Sequence, residues 1–335
     1  MKTIIIISIL LIFCPVYAVE MNSTLSFNYL NKKDGLSNDL IFSIFQDSSG
    51  YIWIGTSDGL NRFDGYNFKK FFHDPLDSDS ISHNIVTWIC EDSEKNLWFA
   101  TFGGGISKFD PRGMKFKNYN FSEYTDDPES SKLINHIKCD SKKRLWISTK
   151  GSGLILFDHV TGKVENYKND SDDQDLINSN KVMSTFEDSN GTVWIATWGG
   201  GLWKYIEENG IIEKIKSTDD SESAPQYKFI HTIIEDAEKN LWLGTRDSGI
   251  IKFDRISGEL KSFGMEKTRQ VNLTGRNINY IYYDPENDNL IWIGTVTGLY
   301  VYKIFEDKFI NYTKKDVESG LSNNYIWNII RDKSG

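Results

Sequence analysis

The residues best suited to bind a ligand follow a threonine that recurs about every 48 residues. In successive copies this residue is Ser57, Phe102, Lys150, Trp198, Arg246 and Val296. Packing alone would not select such a mixture of polar, cationic and aromatic side chains. Aromatic faces beside Lys and Arg donors suit the apolar face and hydroxyl edge of a sugar ring, or an acidic saccharide. We select Phe102, Lys150, Trp198 and Arg246 as ligand-binding candidates.

A second variable position lies five residues before an aspartate that also recurs in every copy. Its occupants are Phe42, Thr87, Asn135, Met183, His231, Asn279 and Trp327. Positions that vary between repeats are where repeat proteins usually carry function, because packing occupies the constant ones. We add Asn135 and His231 to the candidates. The competing interpretation, that these side chains only fill the interior, stays open.

No group of residues has the spacing of a catalytic or metal site. The histidines lack a nucleophile partner, and no Cys/His cluster has zinc spacing. Acidic stretches at residues 74–79, 126–131, 170–175 and 219–222 lack the ligand order of a calcium loop, so we interpret them as solvated linkers. The formal net charge of −9 and the absence of a basic patch argue against nucleic-acid binding. We predict no catalytic residue, no cofactor and no metal ion.

The chain is built from one repeated unit. Aligned on tryptophan, the copies run from Asp47 to Thr56, Asp92 to Thr101, Asp140 to Thr149, Asp188 to Thr197, Asp236 to Thr245 and Asp284 to Thr295. This period matches propeller blades and exceeds that of helical or leucine-rich repeats. In the last copy the turn carries an insertion at residues 285–288.

The sequence of each unit predicts four short strands. An apolar strand leads to an Asp-x-x-Gly or Asp-x-x-x-Asn turn, in which Gly or Asn is expected to take a positive φ. The strand with the tryptophan follows, then a glycine-rich bend, a strand ending in Phe or Tyr, and a fourth short strand. We predict an all-β fold, a β-propeller of four-stranded blades with six complete repeats.

The two ends of the chain add to this pattern. Residues 1–18 have one positive residue, an apolar run and Ala18, and predict a cleavable signal peptide, which leaves residues 19–335 as the propeller. Residues 25–30 resemble a fourth strand, and we expect them to close the ring. Residues 320–335 begin a seventh unit without its tryptophan strand, so we interpret the sequence as a fragment cut inside the seventh blade.

After cleavage, Cys90 and Cys139 remain, both in apolar strand-like stretches. The sequence favours buried free thiols. A disulfide between them is the alternative in an oxidising compartment.

The phrase from Asp47 to Asp64, repeated with variations in every unit, resembles the two-component regulator propeller repeat. The resemblance covers nearly the whole mature chain. It implies the N-terminal periplasmic sensor region of a Bacteroidetes hybrid two-component protein, in which propellers precede a membrane helix and histidine kinase regions. It also implies an oligosaccharide ligand, control of glycan-utilisation genes and a homodimer.

Two functions of different classes follow from these observations. The first is a non-catalytic, ligand-sensing module in the periplasm, and we expect no enzyme activity from this segment. The second is a propeller enzyme of the lyase type, in which one His, one Tyr or two carboxylates at the channel mouth perform acid–base chemistry.

Overall fold

The fold is a ring of antiparallel β-sheets. The computed structural model describes residues 2–7, 10–14, 27–169, 179–216, 227–264, 273, 277–287, 289–314 and 320–333. Blades 1 to 3 contain β3 (Ile41–Gln46), β4 (Ile52–Thr56), β5 (Leu60–Phe63) and β6 (Phe68–Phe71); β7 (Val86–Glu91), β8 (Leu97–Thr101), β9 (Gly105–Asp110) and β10 (Lys115–Tyr119); and β11 (Ile134–Cys139), β12 (Arg144–Thr149), β13 (Leu154–Asp158) and β14 (Val164–Tyr167).

Blades 4 to 6 repeat the same order. They contain β15 (Val182–Glu187), β16 (Val193–Thr197), β17 (Gly201–Ile206) and β18 (Ile211–Lys214); β19 (Ile230–Glu235), β20 (Leu241–Thr245), β21 (Ile250–Phe253) and β22 (Leu260–Phe263); and β23 (Ile278–Tyr283), β24 (Leu290–Thr295), β25 (Leu299–Lys303) and β26 (Lys308–Tyr312). Short 3₁₀ turns occupy Lys32–Asp34, Ser122–Tyr124 and Ser130–Lys132. None of the helical turns in the described part of the chain has the length or apolarity of a membrane-spanning helix. The predicted all-β propeller with six complete four-stranded repeats is confirmed.

A seventh sheet completes the ring. It contains β1 (Lys2–Ile7), β2 (Leu10–Cys14) and β27 (Asn328–Arg331), in the order β2, β1, β27. The strand β27 contacts the inner strand of blade 6 on one side and that of blade 1 on the other. Seven inner strands therefore surround a central channel.

The ends of the chain meet at this seventh sheet. The apolar strand β1 pairs with β27 at the position that the tryptophan strand takes in the other blades. The predicted signal peptide at residues 1–18 stays a prediction. Of the expected closing strand at residues 25–30, the structure describes residues 27–30, in which Asn28 forms a single bridge and Phe27 packs in one cluster with Leu299 and Ile329. This segment thus closes the ring by packing rather than as a continuous fourth strand.

A buried hydrogen bond between the recurring aspartate and tryptophan holds each turn. In blades 1 to 5 the indole Nε1 donates to the Asp Oδ2, at 2.7 to 2.9 Å, in the pairs Trp53–Asp47, Trp98–Asp92, Trp146–Asp140, Trp194–Asp188 and Trp242–Asp236. The other carboxylate oxygen accepts backbone N–H groups of the turn, as from Asn240. In blade 6 the insertion separates the pair, and the Nε1 of Trp292 has no partner among the described residues. There Arg331 donates to Asp284 at 2.6 Å instead.

The turn itself differs from the expectation in one detail. We expected Asn to take the positive φ in the turns that lack Gly, but Lys95 and Lys239 have φ of 66° and 68°. The next residues, Asn96 and Asn240, instead donate through their side chains to the turn aspartate. Lys95 and Lys239 are the third residue after the turn aspartate, the position that Gly50 and Gly191 take with positive φ in the glycine-containing turns.

The cysteines form a disulfide, so the preference for free thiols was wrong. Cys90 in β7 and Cys139 in β11 are bonded and lie 49 residues apart. This separation is about one repeat, which brings both sulfurs to the same height on the inner strands of neighbouring blades. The spacing of the two cysteines was the signal in the sequence that could have found the bond.

Removal of the aspartate carboxylate in one blade should destabilise the ring. For Asp236→Ala we expect the free energy of unfolding to fall by about 2–4 kcal/mol, because a buried indole N–H and turn amides lose their acceptor. Denaturant unfolding followed by fluorescence measures the change. The exposed turn carboxylate in Asp254→Ala is the control and should cost clearly less; equal losses would contradict a special role for the buried pair.

Loss of the disulfide should also be measurable. Cys90→Ser combined with Cys139→Ser should lower the free energy of unfolding by about 2–4 kcal/mol, because the bond closes a long loop. Wild-type protein unfolded in a reducing agent should show the same loss. If the reducing agent leaves the wild-type midpoint unchanged, and mass spectrometry finds free thiols, the bond is absent in solution.

Candidate functional site

The variable position of the inner strands is a β-bulge in every complete blade. In blade 1, Ile41 pairs with Thr56 and Ser43 with Gly55, which leaves Phe42 without a cross-strand partner. The same register shift isolates Thr87, Asn135, Met183, His231 and Asn279. A bulge turns its extra residue away from the ladder and frees its side chain from pairing. The residues that vary between copies are therefore those that their own blade does not use.

The bulge residues surround one cavity. Its volume is about 750 Å³, and all seven residues of this position, including Trp327, line it. Of the other candidates, Phe102 also lines it. The size lies within the range of about 300–1,000 Å³ that is usual for small-molecule sites.

Some polar bulge residues bind the next blade, which limits what they can offer a ligand. The Oγ1 of Thr87 donates to the carbonyl of Ile134 at 2.7 Å, and the Nδ2 of Asn135 donates to that of Val182 at 2.8 Å. Asn279 repeats this contact with Ile326 at 2.9 Å. Asn135 was selected partly as a donor, but its amide nitrogen is engaged, so it would serve a ligand through its amide oxygen.

The other candidates, Lys150, Trp198 and Arg246, do not line this cavity; they form two cation–aromatic pairs next to Phe102 and His231, which do. The Nζ of Lys150 lies 4.9 Å from the ring centroid of Phe102, and the Cζ of Arg246 lies 4.9 Å from that of Trp198. Trp198 also stacks on His231, with ring centroids 5.2 Å apart and an interplanar angle of 28°. The structure thus brings Trp198, Arg246 and His231 together between blades 4 and 5. Phe102 and Lys150 lie apart from them, between blades 2 and 3.

An aromatic cluster that we did not select lies on the seventh blade. The rings of Trp327 and Phe42 are 5.6 Å apart, and those of Tyr325 and Trp327 are 5.0 Å apart. Trp327 and Phe42 hold the same variable position in the last and first units. They become neighbours only when the ring closes. The variable position, together with ring closure, was therefore the signal in the sequence that could have predicted this contact.

Inside the cavity, side chains meet across the channel. Trp88 of blade 2 lies 4.3 Å from the His136 ring and 5.8 Å from the Tyr280 ring of blade 6. Burial, with a smaller contribution from Lys138, lowers the pKa of His136 to about 3, and burial raises the pKa of Tyr280 to about 12. Burial, with the Arg246 charge next in size, lowers the pKa of His231 to about 4. All three side chains are therefore uncharged at neutral pH.

Four polar atoms of residues that line the cavity have no hydrogen-bond partner within the described residues. They are Thr185 Oγ1, His231 Nε2, Asn277 Oδ1 and Asn328 Oδ1. Buried polar groups are normally satisfied, so such atoms indicate an occupant that is not part of the chain, whether water or a ligand.

A larger depression, of about 1,040 Å³, opens on the face of the aspartate turns between blades 4 and 5. Several of its charged side chains form ion pairs: Lys142 with Glu207 at 2.9 Å, Arg255 with Asp188, and Arg255 with Glu235, outside the lining, at 2.7 Å. Such pairs hold blades together and leave little for a ligand.

The acidic loops also use their carboxylates locally. Asp74 and Asp77 accept backbone N–H groups of their own loop, and Asp79 pairs with Lys115 at 2.5 Å. In the part of the chain that the structure describes, no group of three His, Cys, Asp or Glu residues is arranged to hold a metal ion. The acidic stretches at 170–175 and 219–222 lie outside the described residues.

The sequence pattern of the family described as "Two component regulator propeller" matches residues 35–58, 80–103, 176–199 and 225–247. Each match ends on or next to the residue after the recurring threonine. The chain carries two-component regulator propeller repeats. This confirms the resemblance of the repeat phrase to the two-component regulator propeller repeat.

Other proteins resemble parts of this chain. The chain is 41% identical over 83 residues to "Histidine kinase P4" of Formosa agariphila, a match that spans 24% of this chain and 6% of the kinase. The extracellular domain of a putative hybrid two-component system of B. thetaiotaomicron superposes with a TM-score of 0.72 at 22% identity, over 91% of this chain and 39% of that one. A catalytically inactive virginiamycin B lyase of Staphylococcus aureus, in a structure with quinupristin, superposes with a TM-score of 0.60 at 13% identity, over 85% of this chain and 84% of the lyase. Both superpositions show the fold alone, and the chain spans well under half of the first two proteins.

The uncharged histidines predict a pH dependence of stability. Because the folded-state pKa values of His136 and His231 lie below the ordinary 6.5, the unfolded chain binds protons that the folded chain does not as the pH falls from 6.5 to 5. The free energy of unfolding should then fall by about 1.4 kcal/mol per pH unit for each histidine. Denaturant unfolding at pH 7, 6 and 5 measures this. A variant with His136→Gln and His231→Gln should have a flatter profile, and a profile identical to that of the wild type would refute the assignment.

Proposed function

We propose that the chain is the ligand-sensing propeller of a hybrid two-component sensor and that it binds glycan-derived oligosaccharides in the channel. The observation that carries the proposal is that every inner strand presents its variable bulge residue to one cavity. Constant residues build the blades, and variable residues face a shared space, which is the arrangement that selective binding needs.

Location and context support the same proposal. The predicted signal peptide and the Cys90–Cys139 disulfide both suit a periplasmic, oxidising compartment. The similar kinase and hybrid two-component system are both proteins of signal transduction, which supports the same role here. In the proposed parent protein, downstream membrane and kinase regions receive the signal and control glycan-utilisation genes. A homodimer, which analytical ultracentrifugation would test, belongs to the same proposal.

The lyase alternative is less well supported by the cavity. General acid–base catalysis works best with a pKa close to the working pH. His136 at about 3, His231 at about 4 and Tyr280 at about 12 are all far from neutral. None of these three side chains is suited to acid–base catalysis near neutral pH, which fits binding without turnover.

Calorimetric titration with a panel of oligosaccharides tests the proposal. The panel contains xylo-, arabino-, galacto-, malto- and galacturono-oligosaccharides of two to four units. We expect saturable binding of at least one class, with the sugar recovered intact by chromatography. Cleavage of a panel member would favour the lyase, and no binding by any class would refute an oligosaccharide ligand of these types.

Substitutions at the mouth should weaken this binding. Trp198→Ala should raise Kd at least about tenfold, or about 1.4 kcal/mol, because it removes a ring face and the support of Arg246. Ser57→Ala, at the same position of blade 1, is the matched control and should stay within about twofold. If both variants changed Kd equally, Trp198 would have no specific part in binding.

A further inference from the structure

The walls of the cavity are not equivalent. Counting along the ring, the four unpartnered polar atoms belong to Thr185 in blade 4, His231 in blade 5, Asn277 in blade 6 and Asn328 in blade 7. Thr185 and Asn328 are only 3% and 2% exposed. The unsatisfied atoms thus follow one continuous arc of four blades.

Most polar groups on the opposite wall are already engaged. Thr87 and Asn135 bind carbonyls of the next blade, and the His136 Nδ1 accepts the N–H of Thr185. Trp88 covers the His136 ring, and the disulfide lies on this side. A ligand would therefore gain few hydrogen bonds from blades 2 and 3, whereas blades 4 to 7 offer it buried polar atoms that lack a partner among the described residues.

A tryptophan lies at each end of this arc. Trp198 directly follows the second strand of blade 4 and stacks on His231, which lines the cavity. Trp327 precedes β27 and packs against Phe42 and Tyr325. Both side chains are partly exposed, and each is held by neighbouring rings, so each can offer an aromatic face at low entropic cost.

We propose that the ligand lies along blades 4 to 7, between Trp198 and Trp327, with its hydroxyl groups toward His231 and Asn277. The chemistry that fits is a short saccharide with an apolar ring face for each tryptophan and hydrogen-bonding edges between them. This rests on the proposed function and adds to it a position, an orientation and a second aromatic contact, Trp327.

The position has a structural consequence for the seventh blade. Trp327 lies directly before β27, which contacts the inner strands of blades 6 and 1 and so closes the ring. A ligand that bridges Trp198 and Trp327 links this closing strand to blade 4. Binding should then suppress local opening of residues 320–331.

The test uses the full chain and the member of the oligosaccharide panel that binds. Trp327→Ala should raise Kd at least tenfold, and Trp327→Phe should restore part of the affinity. Ile85→Ala is the control, because Ile85 lines the same cavity on blade 2 and should stay within about twofold. In hydrogen exchange of the wild type, the sugar should protect residues 320–331 more than the equivalent inner-strand residues 82–91 of blade 2.

The outcomes separate this inference from the function on which it rests. Loss of affinity in Trp198→Ala but not in Trp327→Ala would overturn the inference and leave saccharide binding intact. Equal losses in Trp327→Ala and Ile85→Ala, or equal protection of the two segments, would also overturn it. If no panel member binds the wild type, both fail together. Thermal unfolding of Trp327→Ala shows whether the variant keeps its fold, and the hydrogen-exchange result holds without any variant.

Discussion

The structure depends on a buried carboxylate that each of blades 1 to 5 uses twice. One oxygen of the turn aspartate accepts the indole N–H of the tryptophan strand, and the other accepts backbone N–H groups of the turn. The bond fixes the register of the first two strands, and the tryptophan then fills the space between neighbouring blades. A charged acceptor in such a site makes the hydrogen bond strong and its loss costly. This explains why Asp and Trp recur in every unit at a spacing of six residues, broken only by the insertion in blade 6.

The same pairing explains the bulge. Once the aspartate end of the inner strand is fixed, the recurring threonine fixes the other end through its hydroxyl, which donates to a glycine carbonyl in all six complete blades. The inner strand has one residue more than its partner between these two points. The extra residue is expelled from the ladder, next to the channel.

Most of the fold could be predicted from the sequence, because the repeat carries it. The strands, the turns and the ring follow from residues that recur in every unit. The site was predicted only in part. His231 and Asn135 were found as variable residues. The bulge that removes them from the ladder depends on how two strands pair, so the sequence of either strand alone does not predict it. The contacts of Trp327 with Phe42 and of Cys90 with Cys139 join different units, so they depend on ring closure and on the height of each residue in its blade. The positive φ of Lys95 was missed because the position three residues after the aspartate is left-handed in these turns whatever residue occupies it, whereas the prediction followed residue type.

The bulge also separates substitutions that alter the channel surface from substitutions that alter the packing of the blades. Phe, Thr, Asn, Met and His occupy it in different blades of one chain, while the strand pairing on either side stays the same. A substitution there changes what the channel presents and leaves the aspartate, tryptophan and threonine bonds untouched. Because each bulge belongs to a separate unit of about 48 residues, duplication or exchange of one unit would alter one contact at a time. Such a ring can diversify its recognition in single steps without passing through an unstable intermediate.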